Sequence, residues 1–172
     1  TTAKFVQELA GTECKILDTR KTTPLLRVLE RQAVRDGGGM NHRYNLSDQV
    51  LIKDNHIAAV GSIEKAVEMV RKSVGKTMKI EVEVETKEEF LEALGTSADI
   101  IMLDNMNNEL MKGLVEINNH SKKIEASGNM ELKRVRSVAL LGVDYISVGA
   151  LTHSYKSLDI SLKFYKNFPR SK

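Results

Sequence analysis

Between Arg20 and Lys53 the sequence concentrates cationic and hydrogen-bonding side chains: Arg20 and Lys21 in DTRKT, His42 and Arg43 in NHR, and Lys53 in LIKDNH. Guanidinium and ammonium groups hold carboxylates and phosphates through charge-assisted hydrogen bonds, so a small ligand carrying several negative charges is the chemistry this set invites. These residues stand at the ends of apolar runs or in loops. Lys65, Lys72 and Lys87 instead read as solvated helix-face lysines. Further along, Glu81, Glu83 and Glu85 alternate with Val82 and Val84. Period-2 spacing puts all three carboxylates on one strand face, either solvated or lining the lumen of a barrel. Asp104 closes the run IIML, and Ser127-Gly128-Asn129 closes KIEA. Taken alone, that last segment is a strand-to-helix turn.

The elements that must carry these groups are legible in the same runs. KILDT, QVLI, KIEVEVE, DIIML, KIEA and YISV each end abruptly in charge, glycine or serine. A strand buried on both faces reads as a continuous Val/Ile/Leu run, and in barrels of alternating strands and helices the functional groups collect at the strands' carboxyl ends. The intervening segments carry helix start and stop signals. Thr23-Pro24 opens LLRVLERQAV, which stops at Asp36-Gly37; Ser62 opens a helix that stops at Gly75. Thr86 to Glu89 forms a capping box ahead of a helix ending at Gly95. Asn107 or Asn108 opens ELMKGLVEINNH, and Asn129 precedes MELKRVRSVALL, which stops at Gly142. The predicted fold is α/β, an open, incomplete barrel of about seven mostly parallel strands, with Gly37-Gly38-Gly39-Met40 hiding the seventh.

Composition narrows the classes. With 172 residues, 41% of them hydrophobic, the chain can bury one real core, and no proline- or serine-rich linker divides it. Aromatics are 5% and scattered, and the formal charge of +3 is modest, so a nucleic-acid partner is not expected. No apolar stretch approaches membrane-spanning length and no signal peptide is visible, so no membrane is expected. The lone Cys14 reads as a small buried apolar residue suited to a reducing, cytoplasmic setting.

ILDTRKTTP, AVRDGGGMNHRYNLSDQVLIKDNHIAAVGS, EVEVE, IIMLDN, EASGN and VDYISVGALTHS occur in this order and together cover nearly the whole chain. In this they resemble the quinolinate phosphoribosyltransferases, the decarboxylating enzymes of NAD biosynthesis. DTRKT, NHR and LIKDNH are specific as a set. Leu25 stands where many members have glycine after the proline, a departure expected to be tolerated. The resemblance implies a pentosyltransferase that joins quinolinate to phosphoribosyl pyrophosphate with magnesium, giving nicotinate mononucleotide, pyrophosphate and carbon dioxide. It implies an open seven-stranded barrel preceded by an N-terminal α/β domain that this sequence does not include. It also implies a homodimer or higher homo-oligomer in which a neighbouring subunit completes each site.

Residue roles follow from the same resemblance. Arg20, Lys21, His42, Arg43 and Lys53 would meet quinolinate, whose adjacent carboxylates ask for several cations in fixed geometry. Lys53 would also stabilise the electron density left by decarboxylation. Glu83 and Asp104 would serve the ribose and a magnesium ion, with Glu81 a weaker candidate. Lys21 would face the pyrophosphate. Lys21, Lys53, Glu83 and Asp104 are thus the catalytic candidates. Ser127, Gly128, Asn129, Gly149 and Ala150 would bind the 5′-phosphate, and His153 either contacts phosphate or caps a helix.

His56 is expected to orient its loop and His120 to be solvated. No zinc-site spacing, nucleophile elbow or P-loop is present, so covalent catalysis is not indicated. Two alternatives remain: a paralogous barrel for another pyridine carboxylate or anion, or a non-catalytic fragment that binds phosphorylated ligands. Residues 1–154 read as the catalytic barrel. In the tail, 155–172, Leu158, Ile160, Leu162 and Phe164 alternate with polar residues, predicting a strand whose apolar face packs on the N-terminal domain.

Overall fold

The computed structural model describes residues 1–164. After a short helix α1 (Thr2–Gln7) and strand β1 (Lys15–Leu17), the chain runs α2 (Arg27–Asp36), β2 (Val50–Ile52), α3 (Asp54–Val60), α4 (Ile63–Val74) and β3 (Ile80–Val84). It continues α5 (Lys87–Leu94), β4 (Ile100–Asp104), α6 (Asn108–Asn118), β5 (Lys123–Ser127), α7 (Leu132–Ala139), β6 (Tyr145–Ser147) and α8 (Ala150–His153).

All strand pairings are parallel, in the order β1-β6-β5-β4-β3-β2. The first and last strands of the sequence are therefore neighbours, and Leu17 of β1 also forms a parallel bridge with Met40. The sheet wraps round with its break between Met40 and β2, an open barrel as expected. The seventh strand hinted at by the glycine run is reduced to that one bridge.

Alternation along each strand decides what faces what. Ile80, Val82 and Val84 of β3, Ile101 and Leu103 of β4, and Ile124 and Ala126 of β5 point to the helix layer, where they meet Ile63, Val67, Phe90, Met111, Leu114 and Val135 in one buried cluster. Burial of each such large side chain is worth about 1.5–3 kcal/mol. Glu81, Glu83, Met102, Asp104, Glu125 and Ser127 take the alternate positions and line the inner face. Register sets Glu83 beside Met102, Met102 beside Glu125, and Asp104 beside Ser127.

Three predicted helix starts are built as read. Ser62 accepts from the Lys65 amide, Thr86 and Glu89 close a capping box, and Asn107 accepts from the Leu110 amide. Two differ. Helix α2 begins at Arg27 rather than at Pro24, because Leu25 sits at φ 66° and breaks the helical path. Helix α7 begins at Leu132 rather than just after Asn129, because Gly128 and Asn129 both have positive φ, 84° and 50°. The tail up to residue 164 forms no strand, and Leu158, Ile160, Leu162 and Phe164 are 81 to 90% exposed. The rest of the predicted strand lies outside the described residues. Among the described residues no helix is long and apolar enough to cross a membrane.

Candidate active site at the carboxyl ends of the strands

Asp18, just past β1, is fully buried and organises one side of the mouth. Its carboxylate accepts from the His42 amide (2.7 Å), the Asn41 side-chain amide (2.6 Å) and Arg31 (3.4 Å). Arg31 also donates to the Arg43 carbonyl and stacks over Tyr44. Burial pushes the Asp18 carboxyl up, while these donors oppose the shift. A buried acceptor with three donors fixes the Asn41-His42-Arg43 segment against β1.

His42 consequently reaches across the lumen. Its Nε2 lies 3.1 Å from Glu81 and 3.4 Å from Glu125, both buried carboxylates, and the Gln49 side chain donates to Glu81 at 2.8 Å. Burial disfavours the imidazolium, but the two carboxylates outweigh it and push His42 up to about 10. The Arg43 amide, however, donates to Nδ1 at 2.7 Å, which requires a lone pair there. That contact favours an imidazole protonated at Nε2 alone. Burial first, and the charge of Glu125 second, push Glu81 up. His42, Glu81 and Glu125 have the composition of a metal triad. The Nδ1 contact argues against one, since a metal on Nε2 would need a proton on Nδ1.

Around this buried cluster lie the cations. The Arg43 guanidinium donates to the Gln49 carbonyl at 3.2 Å, and it is held below its ordinary range by burial first and by the nearby Arg20 charge second. The Nε of Arg20 is buried without a partner among the described residues. Two guanidiniums whose charges disfavour each other, one with a donor unused among the described residues, are chemically suited to an anion. Lys53 donates to Glu83 at 2.6 Å, so the cation at the end of β2 and the carboxylate of β3 meet. An ammonium has three donors, and this contact uses one.

Lys21 is held by its own backbone, whose carbonyl accepts from Thr152 at 2.8 Å, and its side chain lies along Gly149. His153 lies over the same glycine: a Cβ on Gly149 would fall 2.7 Å from the ring Nε2. Ala150 opens α8 beside it. Asp104 accepts from Asn105 at 2.8 Å, and Asn105 in turn accepts from Asn129 at 3.1 Å. Ser127, Gly128 and Asn129 thus sit directly beside Asp104.

All the residues singled out in the sequence gather at this one end of the sheet, except those read as bland. His56 accepts from the Lys53 amide at 2.9 Å and closes the first turn of α3, the orienting part expected of it. His120 is exposed and Cys14 buried, its thiol pushed up to about 12 chiefly by burial. The three glutamates of EVEVE divide by depth: Glu81 is buried, Glu83 partly so, and Glu85 exposed beyond the strand. Sequence reasoning missed Asp18, Gln49 and Glu125. Asp18 lies inside DTRK and Glu125 alternates with Ile124 and Ala126, which are signals of position but not of partners. A concavity elsewhere is lined by Glu64, Glu68, Arg71, Lys72, Lys76 and Thr96, and there Lys72 pairs with Glu68 while Arg71 is engaged with Met78, Ser97 and Asp99.

Known proteins share this sequence and fold. Residues 1–163 match the family described as quinolinate phosphoribosyl transferase, C-terminal domain. The probable nicotinate-nucleotide pyrophosphorylase (carboxylating) of Bacillus subtilis is 48% identical over 161 residues, 94% of this chain and 56% of that protein. The Mycobacterium leprae nicotinate-nucleotide pyrophosphorylase (carboxylating) is 43% identical over 94% of this chain and 57% of its own length. The crystal structure of NadC from Streptococcus pyogenes superposes with a TM-score of 0.90 at 47% identity, covering 95% of this chain and 57% of that one. The chain thus spans little more than half the length of the relatives it matches. It belongs to the family of quinolinate phosphoribosyl transferase C-terminal domains.

Proposed function

We propose that this chain forms the barrel of an enzyme transferring phosphoribosyl from 5-phosphoribosyl 1-pyrophosphate to quinolinate with decarboxylation, giving nicotinate mononucleotide, pyrophosphate and carbon dioxide. The observation that carries the reading is the pair Arg20 and Arg43. The Nε of Arg20 is buried without a partner among the described residues and the charge of Arg20 bears on Arg43, so an aromatic dicarboxylate would answer both guanidiniums. Lys53 would bind the same ligand with its remaining donors and stabilise charge left on the ring as the 2-carboxylate departs. Lys21, anchored by Thr152, would face the pyrophosphate.

Breaking the bond from the anomeric carbon to pyrophosphate builds positive charge on the sugar and negative charge on the leaving group. Carboxylates near the ribose and cations near the phosphates therefore favour the transition state. Glu83 and Asp104 supply the first. Ser127, Gly128 and Asn129, with Gly149, Ala150 and His153, would take the 5′-phosphate at the far end. Glu83 and Asp104 also fit a magnesium ion: Lys53 and Asn105 each engage one oxygen of the respective carboxylate, leaving the other for a hard cation. When bound with substrate, magnesium would neutralise charge developing on the pyrophosphate.

The assembly that suits this reading is a homodimer or higher homo-oligomer in the cytoplasm, with a neighbouring subunit closing the mouth. Exposed apolar side chains near the mouth, Leu25, Val28, Leu29 and Leu46, and in the tail support such packing. The deciding test is a steady-state assay of the assembled protein with quinolinate and phosphoribosyl pyrophosphate. Formation of nicotinate mononucleotide and carbon dioxide is expected. Binding of both ligands without turnover, or turnover with a different pyridine carboxylate only, would overturn the reading.

A further inference from the structure

The loops after β4 and β5 are joined more tightly than neighbouring strand ends require. Asn105, at φ 53°, uses its backbone and both ends of its side chain: the amide donates to the Ser127 carbonyl (3.1 Å), Nδ2 donates to Asp104 (2.8 Å), and Oδ1 accepts from Asn129 (3.1 Å). Asparagine is among the few side chains that adopt this left-handed conformation readily. Gly128 completes the joint at φ 84°. A Cβ there would fall 2.2 Å from Asn105 Oδ1 and 2.7 Å from the Asn105 amide nitrogen, so this backbone approaches Asn105 as only glycine allows.

The same two loops are tied a second time from α7. Arg134 donates to the Gly128 carbonyl (3.4 Å), to the Met106 carbonyl (2.5 Å) and to the Asn108 side chain (3.4 Å). The loop bearing Asp104 and the loop bearing Ser127 are therefore linked twice, by Asn105 and by Arg134.

We infer that Asn105 is a positioning residue for phosphoribosyl pyrophosphate: it sets the Asp104 carboxylate and the Ser127-Gly128 loop at a fixed separation, so that the two ends of the sugar phosphate are held as a unit. This rests on the proposed function, and it deepens that function at a residue the substrate contacts do not include. A fixed span between two subsites matters because it selects one of the few lengths a phosphoribosyl group can take from its anomeric carbon to its 5′-phosphate. Looseness in that span wastes binding energy that would otherwise orient the reacting carbon.

The test uses the assembled, active protein with Asn105→Gly, which keeps access to positive φ while removing both side-chain bonds. The KM for phosphoribosyl pyrophosphate is expected to rise about tenfold, from the loss of a hydrogen bond to a charged group. The KM for quinolinate should stay within about twofold, because no quinolinate contact is altered. A merely structural role would raise both together, and that outcome overturns the inference, as does an unchanged KM for phosphoribosyl pyrophosphate. If Asn105→Gly does not fold, Asn105→Asp serves: it keeps the acceptor for Asn129 but replaces the donor to Asp104 with a carboxylate, and the same selective rise is expected. Absence of turnover in the unaltered protein would defeat the proposed function itself. Normal turnover with an unresponsive Asn105 would defeat only this inference.

Discussion

The two ends of the sheet handle charge in opposite ways. At the strands' amino ends long cationic side chains are tied into the scaffold: Arg71 donates to the carbonyls of Gly75, Met78 and Ser97 and to Asp99, and Lys122 donates to the carbonyls of Thr96 and Ala98. Asp144 there accepts from both Lys123 and the Ile124 amide. At the carboxyl ends, the charge of Arg20 bears on Arg43, and Arg20 Nε, Glu81 Oε1 and Glu125 Oε1 are buried without partners among the described residues. Unmet hydrogen-bonding capacity in a buried place costs free energy in the empty state, and a ligand that supplies the partners recovers it. One end of this barrel is tied into the fold, and the other keeps hydrogen-bonding capacity unused among the described residues, as the proposed binding site would.

Substitutions can separate the two ends. The largest effect is expected at Asp104. Asp104→Asn removes the charge that would face the ribose and magnesium, so kcat/KM for phosphoribosyl pyrophosphate should fall by about a hundredfold, with a weaker magnesium dependence and nearly intact quinolinate binding. Steady-state kinetics at varied magnesium checks this. Equal loss of both ligands would place Asp104 in the scaffold rather than the site.

At the opposite end Arg71→Ala should do the reverse. Leaving several carbonyls and Asp99 unpaired is expected to cost about 2 kcal/mol of unfolding free energy, measured by urea titration, with no change in the affinity for either substrate. Altered substrate affinity would mean that the two ends are coupled.

The smallest effect belongs to Leu25, whose backbone strain lies near the mouth. Its φ of 66° costs a non-glycine residue roughly 1 kcal/mol, and its side chain is fully exposed, so nothing is gained by burial. Leu25→Gly should leave stability unchanged or raise it by up to about 1 kcal/mol, since relief of strain competes with the entropy of glycine. A clear loss in thermal unfolding would show that the leucine packs on something in the assembly.

The contrast between the ends was partly readable in the sequence. Continuous apolar runs closing on Arg20, Lys53, Asp104 and Ser127 announced both the parallel barrel and the gathering of function at one mouth, since side-chain periodicity and strand polarity are local properties. Caps at Ser62, Thr86 and Asn107 were equally local. What escaped was set by tertiary closure. Glu81 and Glu83 share a strand face and a spacing, yet His42 reaches across the lumen to one and Lys53 to the other, and no local pattern says how deep each will lie. Glu125 and Asp18 were hidden for the same reason. The starts of α2 and α7 were misread because Leu25 and Asn129 take left-handed conformations that their residue types alone do not demand.

Titration calorimetry with quinolinate tests most directly whether Arg20, Arg43 and Lys53 make the carboxyl end an anion receptacle. In the assembled protein, Arg43→Ala and Lys53→Ala should each weaken quinolinate binding by about 1.5–3 kcal/mol, the value of a charge-assisted contact to a carboxylate. Arg71→Ala should bind as the unaltered protein does. Unchanged quinolinate affinity in both Arg43→Ala and Lys53→Ala would contradict the account.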